Sequence, residues 1–408
     1  MQLNHGLHLA YCTNIHRGET WPETFASLKQ HTLAVREKVC PHKLFAIGLR
    51  LSDQAARELY DPKILLEFQR WLEKNDCYVF TINGFPYGQF HGVRVKEQVY
   101  APDWTSPGRL AYTNRLFDLL AKLVPAGIEG SLSTVPGSFK EFIKHNAQKK
   151  LIRENIFRCV EHLSRLGEKS KRTLHLGLEP EPLGLLENSS ETISFFEQLR
   201  AENKNDPRLA EFLGVNYDTC HFAVEFEEPR KAIAAMQKAG IKISKLHLSS
   251  ALKTKPTTGA RAALKKFSDD VYLHQVIARG ANGKLKFYRD LPDALAAKNS
   301  LFSDEWRIHF HVPLHAPAAP PFENTNDHLL GVLDLLAENP KLCSHLEMET
   351  YTWEVLPPEL KSRSVVEQLV AEYDWTLARL AERGLANGGS MPRISIDKPK
   401  TSGLRSKS

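Results

Sequence analysis

Several short apolar runs in the second half of the chain end in residues able to hold a cation or move a proton. TLHLGLEPEP closes on Glu179, with Glu181 two residues on and on the same face if the run is extended. VNYDTCH sets Asp218 and His221 three residues apart, so a hard carboxylate and one ring nitrogen could meet the same ion. The other use of Asp218 is to cap a following helix, with His221 a buried, satisfied histidine. In KLHLSSAL, His247 alternates with Leu246 and Leu248, so its ring points away from those apolar side chains. RIHFHVPLH carries His309 and His311 on one face, and HLEMETYTW carries Glu347 and Glu349 on one face at different depths.

Taken singly, each of these residues reads as ordinary structure. Taken together, Glu179, Asp218, His247 and Glu349 would close four successive strands, and in a (β/α)8 barrel the chemistry sits where strands end on their C-terminal side. A ring of three carboxylates and one imidazole suits one divalent metal ion, without choosing among Mn, Mg, Co and Zn. Periodicity cannot separate Glu179 from Glu181 or Glu347 from Glu349. Glu179 is preferred because Pro180 marks the end of its strand, and Glu349 because it lies nearer the end of its own.

The elements that must position this ring are strands alternating with helices. Strand candidates run over Leu7 to Cys12, Leu44 to Leu51, Cys77 to Asn83, Gly130 to Val135, Thr173 to Glu179, Leu213 to Tyr217, Ile241 to Leu248, Arg307 to Val312 and His345 to Thr350. Amphipathic stretches lie between them: Trp21 to Val39, Pro62 to Asn75, Arg109 to Leu123, Lys140 to Leu166, Glu191 to Arg200, Glu228 to Ala239, Asp327 to Glu338 and Val365 to Arg383. The strand at Arg307 is one more than a barrel needs. With HQVIARG, the turn ANGK and LKFYRDL it reads as a hairpin and strand inserted before the eighth barrel strand, within about 252–322. Gly84 to Gly108, aromatic and proline-containing after the third strand, has the length of a functional lid. The expectation is an α/β chain with a single barrel over 1–384 and a basic disordered tail over 385–408.

The chain has 408 residues, 42% hydrophobic and 25% charged, enough apolar material for one large core. Its net charge of +6 is concentrated in Arg393, Lys398, Lys400, Arg405 and Lys407 of the tail, which leaves the body close to neutral and argues against a nucleic-acid partner. The six cysteines are scattered without a CxxC pair, and no apolar run of eighteen or more residues occurs. A cytoplasmic chain without membrane insertion is expected. CTNIHRGETW after the first strand lacks the glycines of a phosphate-binding turn, which disfavours a doubly wound dinucleotide enzyme.

GLEP at Gly177 to Pro180, YDTCH at Tyr217 to His221, LHLS at Leu246 to Ser249 and METYT at Met348 to Thr352 resemble the xylose isomerase-like (sugar phosphate isomerase/epimerase) barrels. The resemblance implies that Glu179, Asp218, His247 and Glu349 hold a divalent metal, that Glu179 and Glu349 move the proton, and that His221 is an accessory substrate contact. HLAYCTNIHRGETW, TINGFPYGQFHGVRVKEQVYAPDW, GLEPEP and HFHVPLH look closer still to the EboE-type metabolite traffic proteins, which implies ebo-cluster partner proteins and a small-molecule metabolite. Candidate substrate contacts are His221, His91, Asn83, His309, His311 and Trp104. Endonuclease IV belongs to the same group of barrels, but His309 stands where that branch carries Asp, and the near-neutral body disfavours DNA cleavage. The two functional expectations are a metal-dependent isomerase or epimerase, and a carrier that keeps the pocket without turnover.

Overall fold

Parallel strands buried on both faces are apolar for the most part, and most of the runs identified above meet that demand, Gly130–Thr134 being the exception with Ser131, Ser133 and Thr134 buried. The computed structural model describes residues 1–297, 303–317, 319–358, 361 and 363–387. Its strands are β1 (His8–Tyr11), β2 (Phe45–Arg50), β3 (Cys77–Asn83), β4 (Gly130–Thr134), β5 (Leu174–Leu178), β6 (Leu213–Asp218) and β7 (Lys242–Leu248). These are followed by β8 (Ala251–Thr254), β9 (Val276–Gly280), β10 (Leu285–Tyr288), β11 (Ser303–His311), β12 (Phe322–Asn324) and β13 (His345–Met348). Eight of them pair in the order β1-β13-β7-β6-β5-β4-β3-β2. A parallel bridge from Cys12 to Gly48 links β1 to β2 across the remaining gap, so the sheet is a nearly closed barrel. Register then fixes who meets whom: Asp218 pairs with His247, and Glu347 pairs with His247 from the other side.

Helices cover the outside of the barrel. Pro62–Lys74 shows why the sequence folds this way: Asp61 accepts from the backbone N–H groups of Lys63 and Ile64, and Leu65, Phe68 and Leu72 recur at helical spacing on the buried face. The stretch from Trp21 to Val39 is helical throughout but contains a π turn at Leu28–Thr32. The helix expected from Lys140 begins only at Asn146 and runs to Ser170. Gln148 Oε1 accepts from the backbone N–H groups of Lys144 and His145 there, and His145 is extended, which stops the helix from starting earlier.

Between β7 and β13 the chain builds a second sheet in the order β10-β9-β11-β8-β12, with its own core that includes Leu264, Phe267, Val276, Trp306, Ile308 and Phe310. β9 and β10 form an antiparallel hairpin. β8 and β12, four and three residues long, were not expected from sequence. The expected basic tail lies, from residue 388 onward, outside the described residues. Among the described residues, no helix is long and apolar enough to cross a membrane.

Candidate metal centre

Strand ends bring Glu179, Asp218, His247 and Glu349 to one point, each buried and each offering a ligand atom within 4.8 Å of the others. His247 Nδ1 is the hub, 3.0 Å from Glu179 Oε1, 3.1 Å from Glu349 Oε2 and 3.5 Å from Asp218 Oδ2. Burial works against a charge on His247, but Glu349 and Glu179 more than offset it and raise its pKa well above the ordinary histidine value. A field of three carboxylates that attracts a proton to Nδ1 attracts a divalent cation for the same reason. Glu179 Oε2 and Asp218 Oδ2 are buried without a hydrogen-bond partner among the described residues. Two orphaned carboxylate oxygens beside an imidazole nitrogen fit the oxygen-rich set that hard or borderline divalent ions take.

Asp218 serves in both of the ways its sequence allowed. Its Oδ1 caps the helix Thr219–Val224 by accepting from the N–H groups of Cys220 and His221, at 2.7 and 3.1 Å, and takes the Ser249 hydroxyl as well. Its Oδ2 is left to face His247. Glu349 is fixed differently, with Oε1 accepting from Asn14 Nδ2 at 2.7 Å and Asn83 Nδ2 at 3.0 Å.

Within each pair of glutamates, depth separates the two. Glu347 lies below the ring, its Oε2 bonded to His247 Nε2 at 2.8 Å and to Lys245 Nζ at 2.6 Å, all three residues fully buried. Burial alone would raise the Glu347 pKa, but Lys245 and His247 bring it down to about 2. Room for this carboxylate comes from β2, where a Cβ on Gly48 would lie 1.9 Å from Glu347 Oε1 and 2.6 Å from the Tyr11 carbonyl oxygen. Glu181 lies above the ring, 3.8 Å from His221 Nε2, and burial pushes its pKa up to about 8.

The remaining candidates divide. Asn83, His221 and His309 line a cavity that opens on Glu179 and Glu349. His311 lies behind it, with Nδ1 donating to the Glu349 carbonyl at 2.9 Å. The Nε2 atoms of His309 and His311 are buried and unpartnered, and with His221, Asp218, Glu181 and Cys220 these histidines form three further groups of ligand spacing beside the ring. Two expected contacts, Trp104 and His91, lie off the cavity wall. Trp104 is wholly buried, its indole donating to Thr134 Oγ1 at 3.2 Å, so it belongs to the packing under the lid. His91 is off the cavity wall because both nitrogens are engaged, one with the Asn14 carbonyl and one with the Tyr272 hydroxyl, each at 2.6 Å.

The segment from Gly84 to Gly108 contributes Phe85, Pro86, Phe90, Val95, Val99 and Tyr100 to the cavity wall. Lys96 fastens it to the segments that precede β9 and follow β10, with Nζ donating to the carbonyls of Asp269 and Tyr272 at 2.7 Å each and to Asp290 Oδ2 at 2.8 Å. Sequence reasoning missed Lys245, Asn14 and Tyr272. Lys245 left a signal, since in KISKLHL it shares a face with His247 inside an apolar strand. Asn14 and Tyr272 left none.

No family model and no curated protein matches the chain. Solved structures do. A xylose isomerase-like TIM barrel protein from Mycobacterium smegmatis, in complex with magnesium, superposes with a TM-score of 0.53 at 12% identity, over 94% of this chain and 99% of that one. An L-ribulose 3-epimerase gives 0.47 at 12% identity over 96% and 100%, and the IOLI protein with a bound zinc atom gives 0.47 at 11% over 92% and 98%. The nearly closed barrel of eight parallel strands in this chain is a TIM-barrel fold, shared with the Mycobacterium smegmatis protein.

Proposed function

We propose that the chain is a divalent-metal-dependent enzyme of the isomerase or epimerase kind, moving a proton at carbon in a small hydroxylated or carbonyl metabolite. The observation that carries this reading is the buried ring of Glu179, Asp218, His247 and Glu349, with two orphaned carboxylate oxygens, at the floor of a cavity. The magnesium held by the Mycobacterium smegmatis barrel supports it. A single bound divalent ion would supply Lewis-acid polarisation of two neighbouring substrate oxygens, acidifying the adjoining C–H.

The chain's own residues do the rest. Glu179 and Glu349 come from strands three places apart in the sheet order and flank His247 Nδ1, so one can take a proton while the other returns it. Asn14 and Asn83 hold one oxygen of Glu349 and leave the other turned inward. Among the described residues lining the cavity, Lys96 is the only lysine or arginine, and its ammonium is fully engaged. That favours an uncharged polyol or hydroxy ketone over a phosphate ester, which would ask for a free cation. The reading also takes residues 1–384 as one barrel domain, places the protein in the cytoplasm, and sets it within an ebo-type metabolite-trafficking pathway on the strength of the sequence motifs named above.

The test is deuterium exchange from solvent into sugars and hydroxy ketones, read by mass spectrometry at saturating metal. Glu179→Gln and Glu349→Gln are expected to lower exchange by about a hundredfold or more, while Glu181→Gln and Glu347→Gln retain most of it. A wild type that binds metal and metabolite but exchanges nothing would favour a carrier.

A further inference from the structure

His247 can serve the ring only if the nitrogen facing the carboxylates keeps its lone pair. An imidazole is free to carry its proton on either nitrogen, and the hydrogen bond at the far nitrogen decides which. Here the far nitrogen, Nε2, meets Glu347 Oε2 at 2.8 Å, and that oxygen is itself held by Lys245 Nζ at 2.6 Å. Lys245 is anchored in turn on Ser133 Oγ at 3.0 Å. The side chains of His247, Glu347 and Lys245 are all fully shielded from solvent. The open space at Gly48 lets the Glu347 carboxylate lie there.

We infer that Glu347, braced by Lys245, is a positioning residue for His247: it keeps a ring proton on Nε2, so that a cation displacing the proton on Nδ1 meets a lone pair aimed between Glu179, Asp218 and Glu349. This rests on the proposed metal site and adds to it a buried acid–base pair that touches neither metal nor substrate. The same pair explains a lysine inside the barrel that the proton-transfer scheme does not use. Its charge neutralises Glu347 and keeps that carboxylate from acting as a competing ligand from below.

The experiment compares wild type, Glu347→Gln and Glu347→Leu in the full chain, using Zn2+ as a diamagnetic probe. Gln retains an oxygen that accepts from Nε2–H, and Leu retains only the bulk. Zn2+ affinity by calorimetric competition with a chelator is expected to fall about 10–100-fold in Glu347→Leu and to stay within a few-fold of wild type in Glu347→Gln. Histidine 15N spectra of the Zn2+-loaded protein are expected to show a slowly exchanging proton on His247 Nε2 in wild type and Glu347→Gln, and none in Glu347→Leu. Far-UV circular dichroism confirms that the variants are folded. If folded Glu347→Leu binds Zn2+ like wild type, or if Glu347→Gln is as impaired as Leu, the positioning role is overturned while the metal site stands. If wild type takes up no Zn2+, the proposed site falls and this inference with it.

Discussion

Lys96→Met should release the lid without unfolding the barrel. Lys96 is buried, and its three donors reach two carbonyls and one carboxylate in the segments flanking β9 and β10 at 2.7–2.8 Å. Hydrogen bonds involving a charged partner contribute about 1.5–3 kcal/mol each. The carbonyls of Asp269 and Tyr272 can be rehydrated once the lid parts, so a net loss of about 3–4 kcal/mol is reasonable. At about 1.4 kcal/mol per factor of ten, protection against local opening should fall by roughly 10²–10³. The reporters are built in, because the backbone N–H groups of Val95 and Lys96 both donate to the Val271 carbonyl at 2.8 Å. Hydrogen exchange by mass spectrometry on a peptide spanning residues 89–100 would read them against barrel peptides from β5 and β6. Asp290→Asn keeps the oxygen that accepts from His274 and Leu291 N–H and removes only the charge, so its effect should be about tenfold. Unchanged protection in Lys96→Met, or a larger effect from Asp290→Asn, would refute the idea that this ammonium pins the lid.

Elemental analysis of protein purified with Mn2+ should find about one ion per chain, lost in Asp218→Ala and His247→Ala. Asp218→Asn should keep the Thr219–Val224 helix cap yet lose metal, which separates the two uses of that carboxylate. Glu225 gives a pH test away from the site: burial, with Glu187 adding, pushes its pKa up to about 9. Its folded value exceeds the unfolded one, so its contribution to stability is full below about pH 4.3 and is lost as pH rises toward 9. The melting temperature of Glu225→Gln minus that of wild type should therefore climb between pH 5 and pH 9, and a flat difference would contradict the assignment.

The barrel was legible because parallel strands sandwiched between helices and interior must be apolar runs, and the ring because polar residues at the ends of such runs are conspicuous. The position of His247 followed from alternation alone. The depth difference between Glu347 and Glu349 did not, since residues two apart in a strand share a direction and differ only in height. The placement of Trp104 and His91 was unreadable for a related reason. A loop rich in aromatics and histidine announces that it covers something, but which side chains face the cavity and which tie the loop down depends on partners such as Thr134, Asn14 and Tyr272, distant in sequence. β8 and β12 escaped because ALKT and FEN are short and carry neither an apolar run nor a turn signal such as the ANGK that marks β9 and β10.

Gly48 sets a condition on how such a site can be acquired or moved. Any side chain at that position would occupy the space of the Glu347 carboxylate and press on the Tyr11 carbonyl oxygen. A lineage carrying a larger residue at 48 could not gain the glutamate by a single change, because the intermediate would be overpacked in the barrel interior. Transplanting the four ligands into another barrel would meet the same obstacle. The graft would have to bring along a glycine from the second strand, far from the ligands in sequence and without chemistry of its own.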